Sequence, residues 1–178
     1  MRAVMTLLLF GACTAEDVVN DEVSADPTCG LEAGDCALDF ALADRDGTLV
    51  RRSDYAGEVL VVAGSAMWCP PCRALLVDLS DYLDQEAPAG VAAVTVVVEN
   101  EDRDPAQPDD VAQLEDALEL SFPGLADSDG DWIEAWGGTR YSYTVIDAAG
   151  QVVWHAEGSS GADIDRIVAA VDEALIER

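Results

Sequence analysis

Six consecutive residues, Trp68-Cys69-Pro70-Pro71-Cys72-Arg73, carry the most specific chemistry in this sequence. Two cysteines with two residues between them lie one turn apart when the segment opens a helix, close enough to form and break a disulfide. A helix start offers unpaired backbone amides and a partial positive charge, and both favour the Cys69 thiolate over its thiol. Pro70 and Pro71 fix backbone angles suited to a first helical turn, and Arg73 adds a positive neighbour. With Trp68 beside them, these residues meet the needs of thiol–disulfide exchange: an exposed, activated nucleophile at Cys69 and a sheltered resolving thiol at Cys72. The competing readings are a structural disulfide and half of a metal site.

The elements around the motif must deliver it at the end of a buried strand. Residues 58–64 contain Val59-Leu60-Val61-Val62-Ala63, a continuous apolar run of the kind a parallel strand needs. Over 73–86, Leu75, Leu76, Leu79, Tyr82 and Leu83 share one helical face. Residues 91–98, nearly all valine and alanine, predict a second buried strand. A charged, proline-containing loop follows over 99–108, then a helix over 109–120 with Val111, Leu114 and Leu118 spaced for burial. Two short strands flank Asp44-Arg45-Asp46-Gly47, and residues 141–146 and 151–155 flank the hairpin signal Asp147-Ala148-Ala149-Gly150. A last helix over 163–178 puts Ile164, Ile167, Val168, Val171 and Leu175 on one face. Alternating strands and helices predict an α/β sandwich around a central mixed sheet, with no repeat and no second folded domain.

Composition narrows the partners. The chain has 178 residues, 9 basic against 36 acidic, for a net charge of −27, and every basic residue is arginine. No basic face for nucleic acid can be assembled from that inventory, and electrostatic adhesion to an anionic membrane is disfavoured. Half the residues are hydrophobic, so the acidity belongs to the surface of a folded domain. Five cysteines are present: Cys13, Cys29, Cys36, Cys69 and Cys72. Cys29 and Cys36 can close a small loop across Gly30 and Gly34, either as a local staple or as a resolving or shuttle pair for Cys69 and Cys72.

The N-terminus has one arginine, a short apolar run and then Phe10-Gly11-Ala12-Cys13, which resembles the lipobox of bacterial lipoproteins. That resemblance implies a signal peptide over 1–12, a lipid on Cys13, and a tether over 13–35 rich in Asp, Glu, Ser, Pro and Gly. The folded domain then covers 36–178, outside the cytoplasm on a bacterial membrane.

From residue 38 to 176 the chain resembles the TlpA/ResA-type redoxins, extracytoplasmic thiol–disulfide oxidoreductases of thioredoxin fold. The likeness rests on Asp44-Arg45-Asp46-Gly47, Ser53-Asp54-Tyr55-Ala56-Gly57, Val59 to Val62, the outright match at Trp68 to Cys72, Phe122-Pro123, Asp129-Gly130, and Val145-Ile146-Asp147 with Gly150. It implies a thioredoxin-like three-layer sandwich with an N-terminal β-hairpin extension. It also implies an enzyme exchanging disulfides with exported proteins such as apocytochrome c, fed by a membrane electron donor, with no cofactor and no metal. Three positions depart from the family: Tyr141 stands where a cis-proline faces the cysteines, with Arg140 before it, Leu75 replaces a glutamate, and Ala63 replaces a buried aspartate. Proton handling then falls to another acid or to water.

His155, the only histidine, reads as a structural or surface residue, and the alternative is a Cu(I)-binding protein using Cys69 and Cys72. Asp127-Ser128-Asp129-Gly130-Asp131 resembles part of a calcium loop but lacks the glycine and glutamate that an EF-hand needs, so it reads as a solvated turn. Trp132 and Trp136 form either a packing pair or an aromatic rim near the cysteines. A non-catalytic binding module with a stable disulfide is the remaining alternative, and the threonine-bearing motif of peroxiredoxins is absent.

Overall fold

The computed structural model describes residues 29–137, 140–158 and 163–176. Cys13, the signal peptide expected over 1–12 and residues 13–28 of the expected tether lie outside them. Two-residue strands β1 (Cys29–Gly30) and β2 (Cys36–Ala37) pair in parallel. The hairpin β3 (Ala41–Asp44) and β4 (Leu49–Arg51) follows, then a 3₁₀ turn at Arg52–Tyr55 and β5 (Val59–Ala66). Next come α1 (Pro70–Gln85), β6 (Val91–Glu99), α2 (Pro108–Leu118), β7 (Gly124–Ala126) and α3 (Asp131–Ala135). The chain closes with β8 (Ser142–Ile146), β9 (Val152–Glu157) and α4 (Ile164–Ile176).

Seven strands make one mixed sheet in the order β4-β3-β7-β6-β5-β8-β9. β5, β6 and β7 run parallel, while β8 is antiparallel to β5 and β3 to β7. All eight residues of β5 are buried, as its unbroken apolar run requires of a central strand. Its alternation divides the interior. Val59, Val61 and Ala63 join Leu76, Leu79, Val111, Leu114, Ile167 and Val171 under α1, α2 and α4. Leu60, Val62 and Ala66 join Phe40, Trp132, Trp136, Cys69 and Cys72 on the other face. The result is the expected three-layer thioredoxin-like sandwich with its N-terminal hairpin.

Two elements were not legible as such. β7 has three residues, too short for a visible alternation, yet it sits between β3 and β6 and carries the hairpin onto the sheet. The expected solvated turn at 127–131 is instead a built corner. Asp127 is 0% exposed and its carboxylate accepts the backbone N–H of Trp132 (3.1 Å) and Ile133 (3.0 Å), starting α3. Those orphan amides need a buried acceptor, and this one is supplied by the acidic run.

Residues 29–37 are tied to the β8–β9 turn: Gly34 N–H donates to Val152 O, Val152 N–H to Asp35 O, and Ala37 N–H to Gly150 O. The Cys29–Cys36 disulfide closes this segment. Val152 pairs with Ile146, and Ile146 with Leu60, at the start of β5. The six-residue rise from Leu60 to Ala66 separates this disulfide from the motif by about 20 Å. Cys29 and Cys36 are therefore a staple within this fold, out of reach of the other pair.

Candidate active site

The motif leaves β5 at Ala66 and enters α1 at Pro70. Cys69 occupies the N-cap, with the two prolines at the first helical positions where their missing N–H groups cost nothing. Cys69 and Cys72 are joined by a disulfide with Cα atoms 5.4 Å apart. The Cys72 N–H points at Cys69 Sγ at 3.1 Å, so the helix start aims an amide at that sulfur. No acidic residue lies in the first turn of this sixteen-residue helix. Within that turn, therefore, no acid offsets the partial positive charge at Cys69.

One expectation fails here. Cys69 is not exposed: its relative accessibility is 0%, and that of Cys72 is 1%. As N-cap, Cys69 turns its sulfur back over the helix, into the cluster that contains Ala66, Phe40, Trp132 and Trp136. Trp132 and Trp136 stack with centroids 5.4 Å apart and belong to the buried cluster that also holds both cysteines, so they are a packing pair. Trp68 and Tyr141, each half-buried, pack against the same cluster.

Trp68 is held by partners far away in sequence. Its Nε1–H donates to Glu99 Oε2 at 2.8 Å, while Arg140 Nη2 donates to Glu99 Oε1 at 2.9 Å. The Arg140 guanidinium carbon lies 4.9 Å from the Trp68 ring centroid and that of Arg103 lies 4.1 Å from it. Arg73 donates to the Met67 carbonyl at 3.3 Å and reaches Glu101 at 3.5 Å. Glu99 and Arg103 were missed in the sequence, where they read as a strand end and one base in an acidic loop. The available signal was that Arg103 is the lone basic residue between Glu101 and Pro105.

The family carboxylates are replaced by apolar contacts, since Ala63 and Leu75 are both core residues. Two other acids lie at this end of the sheet. Glu99 is bonded to Trp68. Asp127, at the end of β7, has its pKa raised by burial, against the two backbone N–H bonds that lower it, with Asp129 and Asp131 adding to the rise. Tyr141, expected where the family has its proline, is half-buried, and the peptide bonds of the described residues are all trans. His155 sits on β9 with Nδ1 2.9 Å from Thr144 Oγ1, paired across the sheet and not beside the cysteines.

A disulfide that closes the first turn of a helix leaving the central strand of such a sheet defines a redoxin of thioredoxin fold. Residues 33–155 match the model of the AhpC/TSA family, and the chain belongs to that family. A protein of Mycobacterium tuberculosis that carries a peroxiredoxin name is 35% identical over 111 residues, 62% of this chain and 66% of the relative. The chain thus spans just under two thirds of the length of the curated relatives it matches. Among solved structures, a thiol:disulfide interchange protein DsbE of Chlorobium tepidum is 25% identical, with a TM-score of 0.63 over 82% of this chain and 99% of that one. The peroxidoxin BcpB of Mycobacterium tuberculosis has the same fold, with a TM-score of 0.68 at 19% identity over 83% and 99%.

Proposed function

We propose that this protein is a thiol–disulfide oxidoreductase working outside the cytoplasm, with Cys69 as nucleophile and Cys72 as resolving thiol. What carries the reading is the Cys69–Cys72 disulfide at a helix N-terminus with no acid in its first turn. In the reduced protein the Cys69 thiolate attacks one sulfur of a partner disulfide, and the other partner sulfur leaves as thiolate. Cys72 then attacks Cys69 Sγ, the mixed disulfide breaks, and the partner leaves reduced while the bond seen here forms. Lipid on Cys13 anchors the chain, and the partners are exported protein thiols, apocytochrome c among them, with a membrane electron donor. No helix among the described residues is long and apolar enough to cross a membrane. Replacing Cys72 with serine should trap mixed disulfides through Cys69, visible as adducts that dithiothreitol removes. Adducts that persist in the Cys69→Ser protein, or none with Cys72→Ser, overturn the assignment.

The peroxiredoxin names of the curated relatives favour a second reading, reduction of a hydroperoxide at the same pair. The Cys69 thiolate would take one peroxide oxygen and release the alcohol or water. Cys72 would then displace water from the sulfenic acid and close the disulfide. Peroxide consumption by the reduced protein, compared with reduction of a disulfide substrate, decides between the two.

A further inference from the structure

We propose that Arg103 and Arg73 form a carboxylate-recognition site at the mouth of the Cys69–Cys72 pair, so that one exchanging thiol is a small molecule bearing a carboxylate close to its sulfur. The inference rests on the exchange reading above and names the substrate class of that site.

Seven arginines lie among the described residues, and three of them, Arg73, Arg103 and Arg140, gather around Trp68. Arg140 is neutralised by Glu99. Arg103 is different: it forms no ion pair among the described residues, although Glu101, Asp102 and Asp104 flank it in the chain. Its backbone has φ = 69°, one of two non-glycine positive values described, and arginine is not a residue type that favours that region. The turn that imposes it is built by Asn100. The Asn100 side chain accepts the N–H groups of Asp102 (3.0 Å) and Asp104 (3.1 Å), and the Arg103 N–H bonds the Asn100 carbonyl at 3.2 Å. A bond from Met67 N–H to Glu99 O joins this loop to the motif. The loop therefore holds a strained conformation that lays an unpaired guanidinium on the tryptophan beside Cys69.

A guanidinium stacked on an indole keeps its edge N–H donors free, and that planar fork suits a carboxylate. The ring it covers is one wall of a surface groove lined by Met67, Trp68, Pro70, Arg73 and Glu101. Glu101 is the competing carboxylate there. Its side chain is 60% exposed and only 3.5 Å from Arg73, so a ligand carboxylate can exchange with it. Size follows from charge. A net charge of −27 repels a partner in proportion to that partner's own negative charge, so a ligand with one or two charges is repelled far less than an acidic protein carrying many.

In the step, the ligand thiolate attacks Cys69 Sγ, the Cys69–Cys72 bond breaks, and its electron pair leaves on Cys72, which takes a proton from water. A second ligand thiolate attacks the ligand sulfur of the mixed disulfide, releasing Cys69 as thiolate and the ligand as its own disulfide.

The test measures rate constants, per thiolate, for reduction of Cys69–Cys72 by 3-mercaptopropionate, 2-mercaptoethanol and cysteamine. The anionic-to-neutral ratio should exceed one in the wild-type protein. It should fall about three- to fivefold in Arg103→Ala, remain in Arg103→Lys, and rise in Glu101→Gln. Any loosening of Trp68 by these changes acts on all three thiols alike and cancels in the ratio. A ratio that Arg103→Ala leaves unchanged, or a preference for cysteamine insensitive to Arg103, overturns this site while the exchange reading stands. A disulfide that none of the three thiols reduces overturns both.

Discussion

Because Cys69 is fully covered in the disulfide form, exchange requires a movement, and Glu99→Ala tests which one. Glu99 fixes Trp68 through the 2.8 Å bond from Nε1 and fixes Arg140 through the 2.9 Å contact. Its side chain is 22% exposed and that of Arg140 33%, so the pair is partly screened. A hydrogen bond to a charged group contributes about 1.5–3 kcal/mol, and about 2 kcal/mol is reasonable at this exposure. Removing it leaves the indole held by its two guanidinium contacts, each worth about 0.5–1 kcal/mol at an exposed site. If Trp68 must swing aside before a thiol reaches Cys69, a loss of about 2 kcal/mol enriches the open form roughly 30-fold. The assay is reduction by 2-mercaptoethanol under pseudo-first-order conditions, quenched by alkylation and read by mass. Glu99→Ala should react about 30 times faster than wild type. Glu99→Gln, which keeps an acceptor for Trp68 but loses the ion pair, should fall between the two. Urea denaturation run alongside separates local opening from global loss of stability. A rate within twofold of wild type would refute the idea that Trp68 covers the disulfide.

Replacing Cys29 and Cys36 with serine opens an eight-residue loop and should cost about 2.5 kcal/mol in chemical denaturation. The reduction rate of Cys69–Cys72 should not change, because the two bridges sit at opposite ends of β5; a slowed rate would refute that separation. For Asp127 the folded pKa is raised above the ordinary carboxylate value, so the folded protein binds this proton more tightly than the unfolded chain. Its contribution to stability is present at low pH and is lost as pH rises through the raised value. The stability advantage of wild type over Asp127→Asn should therefore shrink as pH rises above the ordinary carboxylate range, and an advantage that grows would contradict the sign. Burial pushes the Tyr143 hydroxyl up to about 12. An ultraviolet phenolate titration should show a last step there that Tyr143→Phe removes; loss of a step near the ordinary tyrosine value would overturn the assignment.

The motif, the strand that feeds it and the helix that opens on it are all legible in the order of residues along the chain. Those features are local: an apolar run long enough for a buried strand, a cap and two prolines at a helix start, and a 3.6-residue stripe from Leu75 to Leu83. The hairpins and the closing helix were legible for the same reason. Non-local pairing decided the rest. β7 exists because β3 and β6 leave a gap that three residues fill, and its own sequence has no period to announce it. The acidic run at 127–131 reads as solvated until the fold closes over Asp127 and makes its carboxylate a helix cap. Glu99 stands 31 residues from Trp68 and Arg140 stands 41 from Glu99, so their network arises only when β5, β6 and β8 assemble. The covering of Cys69 has the same origin. Cys69 caps the helix start and shares one buried cluster with the Trp132–Trp136 stack, and only the packed sheet brings those residues into one cluster.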